Sequence, residues 1–447
     1  MTSGRLGALA ALLLALGCAT GDADLVLRGA RIIDGTGAPP TEPMTVVVQG
    51  DRIARITAEP VKGARVIDLD GKFLLPGFVD LHVHLPPDSA IQEAILAQLV
   101  RYGVTTILNP GARDGAGVEL RDRLGPRHPR MLTAGKIIEH VSATGDAGRW
   151  ASLVGDEEAA RREVRRQLAR GVDFVKYYAA MPPPLVAAVV DEATRAGVPV
   201  IGHSVATLWR QAAVAGVSML VHSGWGTPMD ELVELAHADS ATDAEWYASY
   251  AAAPRSSAFG RLTEALVERG VVVVPTLAIT QAAGLGRDAT LLPLFETELA
   301  PEADLPGWWD EGWRERHPQH GEVSAEEELL LERVYFPGVL GIVRAMFERG
   351  VSLGVGTDVG NSWITPGTSF HYEMALYERA GIPPLEILRM ATAGGAQALG
   401  IADSVGSIAV GQRADLLALN ADPTPSIAAT RAIAMVILRG RIVPAAR

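Results

Sequence analysis

Two histidines stand two residues apart at the end of an apolar run, Leu74-Leu75-Pro76-Gly77-Phe78-Val79-Asp80-Leu81-His82-Val83-His84. On a strand, residues two apart point to the same face. Burying two imidazoles on one apolar face costs on the order of a few kcal/mol unless they are paired or hold a metal. A hydrogen-bonded core pair is the plainer reading. Imidazole is also the commonest metal ligand, and His-x-His at a strand end favours a metal site. Four more ligand-type residues close apolar runs. Lys176 ends Asp173-Phe174-Val175-Lys176, and His203 ends Pro199-Val200-Ile201-Gly202-His203. His222 ends Met219-Leu220-Val221-His222, and Asp358 ends Leu353-Gly354-Val355-Gly356-Thr357-Asp358. Singly, each has an ordinary reading: Lys176 can snorkel, His203 can bond a loop and Asp358 can cap a helix. Six such side chains at strand ends, far apart in sequence, point to one shared site and to metal-assisted chemistry.

Composition narrows the metal chemistry further. The chain has 447 residues, 48% apolar and 21% charged, which is ordinary globular usage. It carries 40 Lys+Arg against 52 Asp+Glu, a net charge of -12, which argues against a general nucleic-acid binder. Cys18 is the one cysteine, so no intramolecular disulfide, cysteine zinc site or iron–sulfur cluster can form within the chain. A metal must be held by His, Asp, Glu or a modified Lys.

The elements that position these residues alternate. Buried-type strands are expected near residues 78–83, 104–108, 131–138, 174–178, 198–203, 219–222, 271–277 and 351–356. Helical stretches lie between them, at 159–170, 184–196 and 257–269, and glycines follow the helix ends. About eight strand–helix units predict an α/β fold, a (β/α)8 TIM-like barrel with catalytic groups at the carboxyl ends of its strands. The alternative, a doubly wound open sheet, calls for a Gly-rich phosphate turn after the first strand, and none follows Val83. Short β-branched runs at both chain ends predict a small antiparallel unit. The expected organisation is an export segment at residues 1–17, a composite β-sandwich from 24–73 plus 405–447, and a barrel at 74–404. Insertions at 239–258 and 284–334 carry Trp246, Trp308, Trp309 and Trp313, which are expected to wall the pocket.

The motifs together resemble the amidohydrolase superfamily, and more narrowly its imidazolonepropionase-like and prolidase-like metal-dependent hydrolases. The resemblance rests on the Pro76-Gly77-Phe78-Val79-Asp80-x-His82-x-His84 opening, Lys176, the two later histidines and Gly356-Thr357-Asp358. Ala391-Thr392 before Ala396, and Gly411-Gln412-Arg413-Ala414-Asp415-Leu416, complete it. It covers nearly the whole mature chain. It implies a (β/α)8 barrel beside a composite β-sandwich. It also implies two divalent ions, with zinc the best fit to these ligands. His82, His84 and Asp358 would hold the buried ion, and His203 and His222 the exposed one. Lys176, N6-carboxylated by carbon dioxide, would bridge both. A bridging hydroxide would attack, and Asp358 would carry its proton to the leaving amine. Val221, Ser223 and Gly224 depart from the family's usual surroundings of the sixth-strand histidine.

Residues near these ligands add candidates. His140 follows the third expected strand, and Tyr177 and Tyr178 follow Lys176; any of them can line the pocket or bind substrate, or simply pack. His128, His237, His317, His320 and His371 read as surface or supporting residues. Arg149 and Arg210 are candidates for a substrate carboxylate. The amino terminus has Arg5 and then an unbroken Leu/Ala/Gly run at 6–16, too short to span a bilayer, which needs ~20 apolar residues. Ala15-Leu16-Gly17-Cys18 resembles a bacterial lipobox, so Cys18 is the lipidation candidate, against a plain signal peptide. The expected protein is an exported bacterial hydrolase, periplasmic or lipid-anchored through Cys18. It would cleave a peptide-type amide bond in a small molecule, a dipeptide or an N-acyl amino acid, with a homo-oligomer left open. The rival readings are a lactone or ester hydrolase on the same site, a mononuclear deaminase, and a non-enzymatic scaffold.

Overall fold

Period-two alternation shapes the start of the chain. The computed structural model describes residues 24–63, 65–112, 115–143, 150–224, 242–285, 324–361 and 364–443. Strands β1 (Leu25–Ile32), β2 (Pro43–Gln49) and β3 (Arg52–Thr57) run antiparallel, with Gly50-Asp51 at the second turn. β4 (Val66–Asp68) and β5 (Phe73–Pro76) then add to β1 in parallel.

The middle of the chain is parallel. β6 (Phe78–Asp80), β7 (Val104–Asn109) and β8 (Arg130–Thr133) make a three-stranded sheet. β9 (Ile137–His140), β10 (Ala151–Val154), β11 (Val175–Tyr177), β12 (Val200–Gly202), β13 (Met219–Val221), β14 (Val272–Val274) and β15 (Ser352–Leu353) make a seven-stranded one. Its order is β10-β9-β11-β12-β13-β14-β15. The fold is therefore mixed α/β with parallel sheets. The two sheets are joined at both ends: Ala134 bridges Phe174, and Val83 bridges Val359. Leu81 N–H donates to Val355 O at 3.0 Å and Asp358 N–H to His82 O at 2.8 Å.

One expected strand, 131–138, proves to be two. The chain leaves β8 at Ala134-Gly135-Lys136 and restarts as β9 beside β10. A Cβ on Gly135 would lie 2.6 Å from Gln167 Oε1, so the backbone passes directly beneath the helix Glu157–Leu168. Gln167 Nε2 donates to Lys136 O at 2.6 Å and pins that break.

The carboxyl end returns to the first sheet. β16 (Leu416–Leu419) pairs antiparallel with β5, from Leu416 opposite Pro76 to Leu419 opposite Phe73. β17 (Ile433–Leu438) and β18 (Arg441–Val443) follow. The result is an eight-stranded sheet drawn from both ends of the chain. It is mixed rather than antiparallel, because the chain twice returns to β1 in the same direction. Alternate residues serve two cores. Leu74, Leu416 and Ala418 pack with Leu25 and Leu27, while Leu75, Leu417 and Leu419 face the larger body.

The same alternation sorts the parallel strands. Val175 and Tyr177 join the large core, with Val186 and Val189 of the helix Pro183–Arg195. Phe174 points the other way, into a second cluster with Val79, Leu81, Leu108, Ile201, Val221 and Val274. Each fully buried aliphatic side chain stabilises the fold by roughly 1.5–3 kcal/mol. Helix ends follow their signals: Ser256 caps the helix Ser257–Arg269 by accepting from Phe259 N–H at 3.0 Å, and Gly270 ends it at φ 64°. Trp246, expected at the pocket wall, instead packs partly buried against the large core. Trp308, Trp309 and Trp313 lie outside the described residues, as do Cys18 and the expected export segment. Among the described residues no helix is long and apolar enough to cross a membrane.

Candidate metal centre

The six ligand-type residues read from the sequence converge. His82 Nε2 lies 3.2 Å from His84 Nε2, 3.3 Å from Lys176 Nζ and 3.4 Å from Asp358 Oδ1. His84 Nε2 lies 3.5 Å from the same carboxylate oxygen. A tetrahedral ion with ligand bonds of ~2.0–2.1 Å spaces its ligand atoms about 3.3–3.4 Å apart. The spacings in this cluster match those edges. On the other side, His222 Nδ1 is 3.9 Å from Asp358 Oδ2, and the His203 and His222 ring centroids lie 4.5 Å apart with the rings tilted by 57°. His82, His222 and Asp358 offer ligand atoms all within 4.8 Å of one another. The donor set therefore fits divalent cations.

Hydrogen bonds behind the rings set their tautomers. His84 Nδ1 is 3.1 Å from Gly111 O, which can only accept, so Nδ1 carries the proton and Nε2 presents its lone pair to the cluster. His222 Nδ1 is 2.7 Å from Thr276 Oγ1, whose own proton goes to Pro275 O at 2.8 Å. Both contacts are hydrogen bonds only if His222 donates from Nδ1, which frees Nε2 for an ion. Buried His82 Nδ1 has no hydrogen-bond partner among the described residues, so its Nε2 is the nitrogen turned to the other ligands.

Backbone strain gathers at the same place. Four non-glycine residues among those described have φ in the left-handed region: His222 at 67°, Thr276 at 50°, Asp358 at 64° and Arg439 at 52°. The first three belong to the cluster or touch it. Such a conformation costs roughly 1–3 kcal/mol and persists only where its surroundings impose it. For Asp358 they are visible. Asp80 accepts from Thr357 Oγ1 at 2.7 Å and Thr357 N–H at 3.0 Å, clamping the residue next to it.

Burial governs the charges. It pushes the His82 and His222 imidazoles well below their ordinary value, helped by the neighbouring basic groups, so both are neutral, the form that binds metal. It lowers Lys176 to about 8, with Asp358 pulling the other way. It raises Asp80 to about 7 and Glu373 to about 8, against the N–H groups that donate to them.

Other candidates are sorted by the fold. Tyr177 is not a substrate-facing residue. Strand alternation turns it away from Lys176, it is fully buried, and its hydroxyl meets Ser204 Oγ. Tyr178 stays at the site, its ring 4.3 Å from His203 and 5.0 Å from Trp150. His140 sits half-buried at the end of β9, with Nδ1 2.6 Å from Ser142 Oγ. His128 pairs with Glu93 at 2.8 Å. His371 is buried, not superficial, and contacts Tyr102 O and Thr430 Oγ1. Arg210 is exposed on the helix Trp209–Ala215. His237, His317, His320 and Arg149 lie outside the described residues. Glu373 and Thr276 were missed, because a Glu inside a helix and a Thr after a proline carry no ligand spacing.

The chain belongs to the amidohydrolase family, whose profile matches residues 73–443. Among solved structures it resembles a candidate prolidase from Bifidobacterium longum, with 25% identity and a TM-score of 0.67, covering 95% of each chain. It also resembles a Xaa-Pro dipeptidase solved with methionine in its active site, at 20% identity and a TM-score of 0.68. That match covers 94% of this chain and 99% of the other. A dihydroorotase from Pediococcus pentosaceus is 35% identical over 136 residues, 29% of this chain and 29% of that enzyme. The chain thus spans less than a third of this curated relative.

Proposed function

We propose that this chain is an exported metallohydrolase that cleaves a peptide-type amide bond in a dipeptide or an N-acyl amino acid. The observation that carries the reading is the approach of His84, Lys176 and Asp358 to His82 Nε2, within 3.2–3.4 Å. His82, His84 and Asp358 would hold one divalent ion, His203 and His222 a second, and Lys176 would join both. Zinc suits this nitrogen and carboxylate set. A bound pair supplies Lewis acidity toward the scissile carbonyl and makes water acidic enough to attack at neutral pH. Lys176 can serve only after its neutral amine forms a bond to carbon dioxide and loses a proton, since an ammonium has no lone pair. Burial favours that neutral amine. Asp358 then takes the proton of the attacking water on a carboxylate oxygen and passes it to the leaving nitrogen. Tyr178, whose ring lies beside His203, would meet substrate.

The bridges between the two parallel sheets support their closure into an eight-stranded barrel of β6, β7, β8, β11, β12, β13, β14 and β15. The sheet built from both chain ends would be its companion domain. Export and a lipid anchor at Cys18 rest on the amino-terminal sequence. The likeness to the Bifidobacterium prolidase candidate supports a small peptide as substrate. The test is a library of dipeptides and N-acyl amino acids incubated with zinc-loaded protein. Release of free amino acid from some members is the expected result. Turnover of lactones or esters alone would favour the rival hydrolase, and no turnover of any would overturn the reading.

A further inference from the structure

We propose that Glu373 is the positioning residue of His222, acting on it through Thr276; the inference rests on the metal centre proposed above. Glu373 is fully buried on the helix Thr368–Arg379 and ligates nothing in the cluster. Its two oxygens divide between two successive amides. Leu277 N–H donates to Oε1 at 2.8 Å and Ala278 N–H to Oε2 at 2.6 Å. These amides open the helix Leu277–Leu285, so they are donors without partners inside that helix. The residue just before them is Thr276, held at φ 50°, a backbone conformation that a β-branched side chain avoids. Fixing the next two amides fixes that turn.

The turn in turn fixes the imidazole. Thr276 Oγ1 stands between His222 Nδ1 at 2.7 Å and Pro275 O at 2.8 Å. The chain of donors runs from His222 through the threonine hydroxyl to the carbonyl. It selects the tautomer with the lone pair on Nε2 and holds the ring against rotation. The backbone repeats the link, with His222 N–H on Val274 O at 3.0 Å and Ser223 N–H on Pro275 O at 3.1 Å. Thr276 is completely buried, so no solvent replaces the bond if the turn relaxes. A helix cap that served stability alone would not need to end on a strained threonine bonded to a metal-ligand ring.

The experiment measures Zn2+ affinity of the full chain by competition with a chelator, in wild type and in Glu373→Gln, Thr276→Val, the double variant and His222→Ala. Gln keeps one acceptor oxygen and sets an NH2 group against the other amide. The expected result is two bound ions in wild type. Glu373→Gln and Thr276→Val should each weaken, by ~10–100-fold, the same ion that His222→Ala weakens, and leave the other unchanged. The double variant should bind as weakly as Thr276→Val alone, because both changes cut one relay. Thr276→Ser should restore binding. Should Glu373→Gln not fold, Glu373→Asp, which keeps the charge but shortens the reach, takes its place. Unchanged affinity in the Glu373 variant, or effects that add in the double variant, would overturn the inference and leave the metal centre standing. No zinc binding by the wild type would instead overturn the metal centre itself.

Discussion

Asp80 and Thr357 lie 277 residues apart and meet through the threonine's hydroxyl at 2.7 Å and its amide at 3.0 Å. The first residue ends β6, two residues before His82, and the second immediately precedes Asp358. One carboxyl group therefore registers both halves of the metal centre. Both amide bonds to Asp80, from Thr357 and from His82 at 3.1 Å, fall on Oδ1, and the hydroxyl bond falls on Oδ2.

That division predicts an order among variants. Asp80→Asn keeps one oxygen for both amides and should cost the metal-free protein ~1 kcal/mol or less. Asp80→Ala strands two buried amides and should cost roughly 2–5 kcal/mol. Denaturant unfolding of both variants checks it. Equal losses would contradict the assignment of the two oxygens.

Glycine replacements give a second contrast. A Cβ on Gly356 would sit 2.6 Å from Val274 Cγ1 and 3.0 Å from His82 Cβ, so Gly356→Ala must displace a ligand or its support. It should destabilise the protein by ~1–3 kcal/mol and weaken metal retention. Gly341, inside the helix Phe336–Glu348, has open space around its missing side chain. Gly341→Ala should stabilise by about 0.5–1 kcal/mol and leave metal content alone. Thermal unfolding with elemental analysis reads both effects.

The lysine sets a pH dependence. Burial lowers Lys176 from 10.5 to about 8. Its neutral, carbon dioxide-reactive fraction therefore rises as pH rises through 8, and protonation removes it below. At pH 7 about a tenth of the amine is neutral, against well under a thousandth for an ordinary lysine. Rebuilding metal-free protein with Zn2+ at a fixed concentration of dissolved carbon dioxide should speed up roughly tenfold per unit from pH 6 to 7 and level off above 8. Rebuilding measured by metal uptake that is flat across this range would exclude a free Lys176 amine as the step's reactant.

Much of the proposed centre was legible because its candidate ligands close apolar runs, where a polar residue is conspicuous. His82, His84, Lys176, His203, His222 and Asp358 all announce themselves this way. The supports do not. Glu373 lies in a helix whose pattern is set by packing, and Thr276 matters through a backbone angle that no residue type advertises. Adjacency to Lys176 made Tyr177 a candidate substrate contact with packing as the alternative, and strand alternation decides for packing. The split of 131–138 into β8 and β9 was hidden because its cause, the close passage of Gly135 under Gln167, is a tertiary contact. At the chain ends, alternation marked the strands but not their direction, which depends on how often the chain returns to β1.

In the proposed centre Lys176 joins two ions held by the histidines and Asp358. Metal content per chain, measured on purified wild type and Lys176→Ala, tests it most directly. Close to two divalent ions are expected in the wild type and one or fewer in the variant, with both proteins folded by circular dichroism. One ion per chain, unchanged by Lys176→Ala, would contradict it and return the site to the mononuclear deaminase reading.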